Sequence, residues 1–413
     1  MTAPLRICLD ARTIDGAAGG VQQVVVGLAS ALSKLDDDAE EYLFWTYRDA
    51  DEWLQPYIAG PCRLLPGARA PQAATGRRLT KQFAKPFSFA GRFLPIPPPP
   101  ISDGTIEAAR IDIMHFTLQK AFLTDVPSIY QPHDLQHIHL PQLFTPRGWR
   151  ERDASYRAFC RQARMVVAMS RWGKRDLVAN FGLPDDKVQI VPWAAAGSES
   201  QSPADDDLVA TRAKHDLPAA FLFYPAQTWP HKNHLGLLDA LALLRDRDGL
   251  KLPLVCSGRR NEWYPHIEKH ARKLHLGDQV QFLDFVSPLE LQCLYRLCRA
   301  LIFPSKFEGW GLPLTEAFAA GVPVACSSVA LLPALAGDAA LLFDPNSADE
   351  IAAAMSRLWN DETLGNELAR RGQENVARFS WDKTARLFRA HYRRIANRAT
   401  DADRALLAQP PLV

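Results

Sequence analysis

Residues 5–32, LRICLDARTIDGAAGGVQQVVVGLASAL, decide the fold class of this chain. LRICLD (5–10) is a short apolar run typical of a buried strand. The glycines Gly16, Gly19 and Gly20 mark a tight turn, and the apolar residues beyond it recur at the spacing of an amphipathic helix. A strand, a glycine-rich turn and a helix in this order predict the opening of an α/β domain.

The same alternation continues along the chain and starts again after a break. The small, polar and acidic stretch 194–207 has the composition of a linker. We therefore predict two consecutive α/β domains, at 1–195 and 205–380, each with a parallel sheet. The further predicted strands are 42–47, 111–116, 127–134, 165–170 and 187–193 in the first domain and 221–226, 252–258, 280–285, 300–305, 322–327 and 339–345 in the second.

Composition excludes several classes of protein. The 413 residues carry a net charge of +2, which argues against nucleic acid as the main partner. The 7 cysteines include no C-x-x-C pair, so neither a zinc framework nor a disulfide scaffold is indicated. The first apolar run is too short for a signal sequence, and no segment approaches 18 uninterrupted apolar residues. We expect a cytoplasmic protein.

One region departs from the α/β pattern. No acidic residue lies between Glu52 and Asp103, whereas arginines, lysines and phenylalanines alternate over 63–95. One interpretation is a surface loop. The other is a peripheral contact with an anionic membrane through residues 77–93, because cations and aromatic anchors suit such surfaces.

Two stretches of the first half suggest ligand contacts. The glycine turn would let backbone N–H groups approach a phosphate, but its spacing is not G-x-G-x-x-G, which disfavours an NAD(P)-dependent oxidoreductase. His133 follows a predicted strand, where open α/β sheets bind ligands. The spacing of His133, His137 and His139 includes no H-E-x-x-H, so we favour His133 as a hydrogen-bond donor to a hydroxyl or a departing phosphate over a metal site.

Two stretches of the second half carry charges at predicted helix starts. In YPAQTWPHKNH (224–234), Lys232 opposes the helix dipole, a placement that makes sense where an anion binds. In SKFEGWGLPLTEAFAAGVP (305–323), Glu308 lies on a glycine turn and Glu316 just inside the helix that follows. A solvated lysine and a pair of surface glutamates are the alternatives.

Together these motifs, with SRWGKRDLVANFGLPDDKVQIVPW (170–193), resemble the retaining glycosyltransferases of family 4. The resemblance runs from the first strand to residues 380–395. It implies a GT-B fold, in which two Rossmann-like domains face each other across a cleft and a helix at 381–400 returns to the amino-terminal domain. It also implies a GDP- or UDP-linked sugar as donor and no cofactor or metal.

The resemblance implies a role for each matching residue. Glu308 would accept hydrogen bonds from the donor sugar, Glu316 would bind the ribose, and Lys232 would neutralise the leaving diphosphate. Backbone N–H groups at the start of the second-domain helix, and the glycine turn of the first domain, would approach the diphosphate. The predicted catalytic residues are His133, Lys232 and Glu308, and the predicted substrate-binding residues are Gly19, Gly20, Gln227, Arg259, Gly309, Trp310, Gly311, Leu312 and Glu316.

The sequence departs from the family at the phosphate site. The family commonly has an arginine five residues before the lysine, beside a glycine, and here those positions hold Gln227 and Ala226. Arg259 or Arg260 would have to supply the charge. We expect a hexosyltransferase of polysaccharide biosynthesis, with mannose the favoured sugar and a saccharide or lipid-linked saccharide as acceptor. The alternative is a non-catalytic GT-B-like protein that binds a sugar nucleotide or a glycan.

Overall fold

The computed structural model describes residues 3–15, 19–35, 39–70, 95–195 and 203–413. They form two compact units, Met1–Trp193 with Trp381–Val413 and Ala194–Ser380. Gly16 and the basic, aromatic segment 77–93 lie outside the described residues. Within the described part, no helix is long and apolar enough to cross a bilayer.

Each unit contains one sheet whose neighbouring strands all pair in parallel. The first unit holds β1 (Leu5–Asp10), β2 (Glu40–Thr46), β3 (Cys62–Pro66), β4 (Ile113–Phe116), β5 (Ser128–Tyr130), β6 (Met165–Ala168) and β7 (Val188–Ile190). The second holds β8 (Leu222–Pro225), β9 (Leu254–Ser257), β10 (Val280–Phe282), β11 (Ala300–Phe303), β12 (Val324–Ser327) and β13 (Ala340–Phe343).

Helices follow most of these strands. They are α1 (Gly20–Leu32), α2 (Thr105–Ala108), α3 (Gln136–His139), α4 (Pro146–Gln162), α5 (Arg171–Phe181), α6 (Asp205–Lys214), α7 (His234–Asp248), α8 (Tyr264–Lys273), α9 (Pro288–Leu297), α10 (Leu312–Ala319), α11 (Leu332–Ala336), α12 (Ala348–Asn360), α13 (Glu362–Val376), α14 (Trp381–Ile395) and α15 (Asp401–Leu407).

The order of the strands places a crevice in each unit. The first sheet runs β3-β2-β1-β4-β5-β6-β7 and the second β10-β9-β8-β11-β12-β13. In both, the strand order reverses beside the first strand of the unit, between β1 and β4 and between β8 and β11. Ligands of doubly wound sheets bind outside the carboxyl ends of the strands at this reversal. The loops after these four strands are therefore where a site is expected.

The centres of both sheets are apolar because helices cover both faces. Every residue of β8, β11 and β12 is buried, and so is every residue of β4, β5 and β6. Such strands read as continuous apolar runs, which explains why the sequence predicted most of them.

Helix α14 packs in the first unit, although it follows the second in sequence. Its Trp381 is 1% exposed and lies against Gly27 of α1, which has no side chain to obstruct the indole. Arg389 and Arg393 both donate to the carboxylate of Glu40, which opens β2. An apolar contact and a charged contact thus hold this helix.

Several elements were not predicted, and three of them show why. Strand β3 overlaps the basic region for which a surface loop was one of two interpretations. It was not predicted because Arg63 and Pro66 weaken its apolar signal. Helix α4 is mostly polar, and only three of its residues are buried. Helix α6 begins at Asp205, so the predicted linker end at residue 207 was wrong: the acidic run is a favourable first turn.

Candidate active site

In the second unit, the loop after β8 is tied to the loop after β11. Lys232 ends a short 3-10 turn, Pro230–Lys232, and its carbonyl accepts a 2.6 Å hydrogen bond from the Tyr224 hydroxyl. Asn233 adopts a left-handed backbone (φ 59°), and its amide donates to the carbonyl of Pro304. The backbone N–H of Lys306 donates to His231 across the same gap. The position of Lys232 is therefore fixed by the fold.

Lys232 and Glu308 meet at the reversal of strand order. Lys232 Nζ lies 2.6 Å from Glu308 Oε1, and the side chains are 19% and 11% exposed. The sequence placed Lys232 at a helix start, but α7 begins at His234, so the lysine precedes the helix by two residues. The cation consequently faces the loop that carries the glutamate.

Beyond Glu308 the backbone offers a row of donors. The N–H groups of Gly309, Trp310, Gly311 and Leu312 make no hydrogen bond within the described part of the chain. Gly311 has φ 104°, and a Cβ there would lie 2.9 Å from a side-chain carbon of Leu332, so a glycine is required. Unbonded N–H groups at the start of a helix form an anion site.

The turn leads directly into α10. Leu312 is the first residue of that helix and Pro313 the second, where its missing N–H is harmless. The Trp310 side chain is 2% exposed and packs edge-on against Phe379. Any contact of Trp310 with a ligand therefore involves its backbone.

Glu316 lies on α10, one turn beyond that helix start. Its Oε2 accepts a 2.7 Å hydrogen bond from the hydroxyl of Tyr295, a buried residue of α9. Burial raises the pKa of Glu316 to about 7, and the Tyr295 hydrogen bond opposes this rise. The sequence predicted Glu316 but gave no reason to connect Tyr295 with it.

The structure separates the two candidate replacements for the missing arginine. The Arg260 guanidinium stacks on Tyr264 and donates to the carbonyl of Phe282. Arg259 is exposed, and its guanidinium has no partner among the residues that the structure describes. Its carbonyl accepts from Thr228, the residue after Gln227, so Arg259 lies beside the segment where the family has its arginine.

Gln227 and Gly258 complete this edge of the site. Gln227 Oε1 accepts from the indole of Trp229, which leaves the amide N–H groups as donors. Gly258 has φ 131°, and a Cβ there would lie 2.4 Å from the carbonyl oxygen of Ala226. The loops after β8 and β9 can approach this closely only because residue 258 is a glycine.

In the first unit, the loops after β1, β4 and β5 also converge. His133 Nε2 lies 2.7 Å from the carbonyl oxygen of Thr117, and the Thr117 hydroxyl donates to the carbonyl of Asp10. A carbonyl only accepts, so Nε2 carries the proton and Nδ1 of the neutral ring is an acceptor. Burial lowers the pKa of His133, which favours this neutral form. In this tautomer the remaining ring nitrogen, Nδ1, can accept a hydrogen bond but cannot donate one.

Gly19 and the other two histidines take different positions. Gly19 precedes α1 with φ 53° and no side-chain cap, and Gly20 is the first helical residue. His137 is buried among aromatic rings, and His139 pairs with Asp176. In the described part of the chain, no three or more His, Cys, Asp or Glu residues cluster as a metal site would require.

The second unit thus brings Lys232 and Glu308 into contact, with Gly309–Leu312 following Glu308 and Arg259 beside Gln227. His133 and Gly19 lie at the corresponding edge of the first unit. Tyr224 and Asn233, which hold the Lys232 turn, were missed, because a buried strand residue and a turn residue carry no chemical signal in sequence.

Comparisons with known proteins assign the family. The model "Glycosyl transferases group 1" matches residues 210–377, and "Glycosyltransferase Family 4" matches residues 18–194. O-antigen chain mannosyltransferase B of Escherichia coli is 29% identical over 280 residues, which are 64% of this chain and 72% of that protein. D-inositol 3-phosphate glycosyltransferase of Corynebacterium glutamicum is 29% identical over 55% of this chain and 57% of its own length.

Solved structures agree on the fold. Sucrose-phosphate synthase from Thermosynechococcus elongatus aligns with a TM-score of 0.68 at 19% identity, covering 95% of this chain and 99% of that one. The Anabaena protein HepE, solved with UDP and glucose, aligns with a TM-score of 0.69 at 15% identity and covers 94% of this chain and 99% of its own. The two matched family models, the two parallel sheets and these neighbours show that the chain belongs to the group 1, family 4 glycosyltransferases with a GT-B fold.

Proposed function

We propose that this glycosyltransferase moves a hexose, with mannose favoured, from a GDP- or UDP-linked donor to a saccharide or lipid-linked saccharide during polysaccharide biosynthesis. The observation that carries the proposal is the Lys232–Glu308 pair, held 2.6 Å apart beside a row of unbonded backbone N–H groups. A cation and N–H donors suit a diphosphate, and a carboxylate suits sugar hydroxyls. The name of one relative, O-antigen chain mannosyltransferase B of Escherichia coli, supports the choice of sugar.

In the proposed reaction the acceptor hydroxyl attacks the anomeric carbon from the side on which the diphosphate leaves. The new carbon–oxygen bond forms as the bond to the phosphate oxygen breaks, and that phosphate oxygen takes the acceptor proton. The products are the glycosylated acceptor, with retained anomeric configuration, and a nucleoside diphosphate. No strong protein base is needed, so the protein acts by positioning the reactants and stabilising negative charge.

Each residue then has a task at a stated atom. Lys232 Nζ and the N–H groups of Gly311 and Leu312 stabilise the charge on the leaving diphosphate. Glu308 accepts hydrogen bonds from the sugar and stabilises positive charge at the anomeric carbon. His133 Nδ1 accepts a hydrogen bond from a hydroxyl, since Nε2 is engaged by Thr117.

The test measures release of nucleoside diphosphate, and transfer to saccharide acceptors, with a panel of GDP- and UDP-linked hexoses. Lys232→Met should lower kcat by about 10²- to 10³-fold, the usual effect of removing one stabilising group from a developing oxyanion. Lys214→Met is the matched control, because Lys214 pairs with Glu290 at 2.7 Å elsewhere in the same unit and is 65% exposed. Its kcat should stay within twofold of the wild type.

Two results would contradict parts of this proposal. Activity that survives both Lys232→Met and Glu308→Gln would refute the site. Calorimetry that shows tight nucleotide binding, with no turnover on any acceptor, would favour the alternative of a non-catalytic sugar-nucleotide or glycan-binding protein.

We also propose a peripheral membrane contact through residues 77–93, which would place the enzyme beside a lipid-linked acceptor. The basic and aromatic composition of this segment supports it. The full chain should co-sediment with vesicles rich in phosphatidylglycerol more than a chain lacking 77–93. Equal pelleting of both proteins would dismiss the contact.

A further inference from the structure

Glu316 sits in an environment that does not favour its charged form. The side chain is only partly exposed, and no cation is paired with it among the described residues. Burial raises its pKa to about 7. A carboxylate that binds ribose hydroxyls must be ionised to accept from both, so this residue needs a neighbour that stabilises its charge.

The Tyr295 hydroxyl is that neighbour. It lies 2.7 Å from Glu316 Oε2, whereas the nearest other acceptor, the Pro313 carbonyl oxygen, is 3.4 Å away. A phenol has one proton, and the shorter contact directs it to the carboxylate. It is the one hydrogen bond that the Glu316 carboxylate receives from the residues that the structure describes.

Tyr295 is itself held firmly. Its side chain is 2% exposed, and its ring packs edge-on against Phe223 of β8 at 5.3 Å between ring centres. Helix α9 begins with a reciprocal cap between Ser287 and Glu290, which fixes the start of the helix. The hydroxyl is thus presented to Glu316 by rigid elements rather than by a loop.

The two carboxylate oxygens of Glu316 consequently differ. Oε2 is engaged by Tyr295, whereas Oε1 accepts no hydrogen bond from the described residues and is not among the buried side-chain atoms that lack a partner, so solvent can reach it. We propose that Tyr295 is a positioning residue that holds the Glu316 carboxylate with Oε1 directed toward the ribose hydroxyls of the donor. This inference rests on the proposed function, in which Glu316 binds the ribose.

The experiment measures binding by calorimetry with four probes: UDP, GDP and the 2′,3′-dideoxy analogue of each. Whichever of UDP and GDP binds is then compared with its own dideoxy analogue. Glu316→Ala should bind the ribonucleotide at least tenfold more weakly and the dideoxy analogue almost unchanged, because that analogue lacks the hydroxyls that Glu316 contacts. Tyr295→Phe should weaken ribonucleotide binding about five- to tenfold, the usual effect of losing one intramolecular hydrogen bond. It too should leave the dideoxy analogue unaffected.

Nucleotide affinity measured over a range of pH separates a role in holding the carboxylate from a merely structural role of Tyr295, which would leave the pH dependence unchanged. The ribose-dependent part of the affinity needs the carboxylate, so it is present above the pKa of Glu316 and lost as the pH falls through it. Tyr295→Phe removes the hydrogen bond that lowers this pKa. The midpoint of the loss should therefore move to higher pH than in the wild-type protein.

The control is Tyr42→Phe, which removes a buried hydroxyl that has no hydrogen-bond partner in the described first unit. It should bind all probes as the wild type does. If Glu316→Ala weakens both members of the pair equally, the ribose role in the proposed function is refuted. Only the role of Tyr295 is refuted if Glu316→Ala weakens the ribonucleotide alone but Tyr295→Phe does not. The same holds if the pH midpoint of Tyr295→Phe equals that of the wild type.

Discussion

The contact between Gly27 and Trp381 gives a sharp test of how helix α14 is held in the first unit. A Cβ built on Gly27 would lie 2.2 Å from two ring carbons of the indole, about 1.2 Å inside the 3.4 Å at which ordinary contact begins. Trp381 is 1% exposed, so the protein encloses the ring and it cannot turn out into solvent. Gly27→Ala must therefore displace the indole or the helix that carries it.

The expected magnitude is the difference of two effects. Overpacking of a well-packed core typically costs about 1–3 kcal/mol. Replacing glycine by alanine within a helix stabilises by about 1 kcal/mol. Since the clash involves a rigid ring rather than a flexible chain end, we expect the cost to be at the upper end, so Gly27→Ala should be destabilising by about 1–2 kcal/mol.

Gly173→Ala is the matched control. Gly173 also lies in a helix of the first unit, but a Cβ there would be 3.5 Å from the Ser170 hydroxyl and 3.7 Å from the Ala168 methyl, which is ordinary contact. Only the difference in helix propensity then applies, so the free energy of unfolding of Gly173→Ala should exceed that of the wild type by about 0.5–1 kcal/mol.

Urea denaturation followed by far-ultraviolet circular dichroism compares the two variants. Both positions lie in the first unit, so they report on the same unfolding transition even where the two units unfold separately. Adding Trp381→Phe, which shortens the clashing side chain, should reduce the cost of Gly27→Ala by about 0.5–3 kcal/mol relative to additivity. Equal stability of Gly27→Ala and Gly173→Ala, or strict additivity with Trp381→Phe, would refute the reasoning.

Two further predictions follow from charged contacts. Arg259→Ala should raise the donor KM about five- to tenfold through loss of a phosphate contact, whereas Arg260→Ala should change it less than twofold; equal effects in steady-state kinetics would contradict the assignment. Glu40→Ala should lower the free energy of unfolding by about 2–3 kcal/mol, because it leaves Arg389 and Arg393 without their shared buried carboxylate. A change below about 0.5 kcal/mol in urea denaturation would show that this contact does not secure α14.

Some features of the fold could be predicted well from sequence and others not at all. Strands such as β8 and β11 were predicted because burial on both faces makes them apolar throughout. Strand β3 and helix α4 were not predicted because an edge strand and a mostly polar, half-buried helix have no comparable apolar pattern. The acidic run at Asp205–Asp207 looked like a linker, since the same charges that favour a helix start also favour solvated chain.

The sequence by itself determined the α/β class, the two-domain plan, and the residue types at Lys232, Glu308 and Glu316, because periodicity, turn residues and motif spacing are local properties of the chain. Only the tertiary structure decided which atoms meet. The 2.6 Å approach of Lys232 to Glu308, the engagement of His133 by Thr117 and the hydrogen bond from Tyr295 to Glu316 join residues that are 76, 16 and 21 positions apart. Such contacts depend on strand order and helix packing, and no local pattern in the sequence records them.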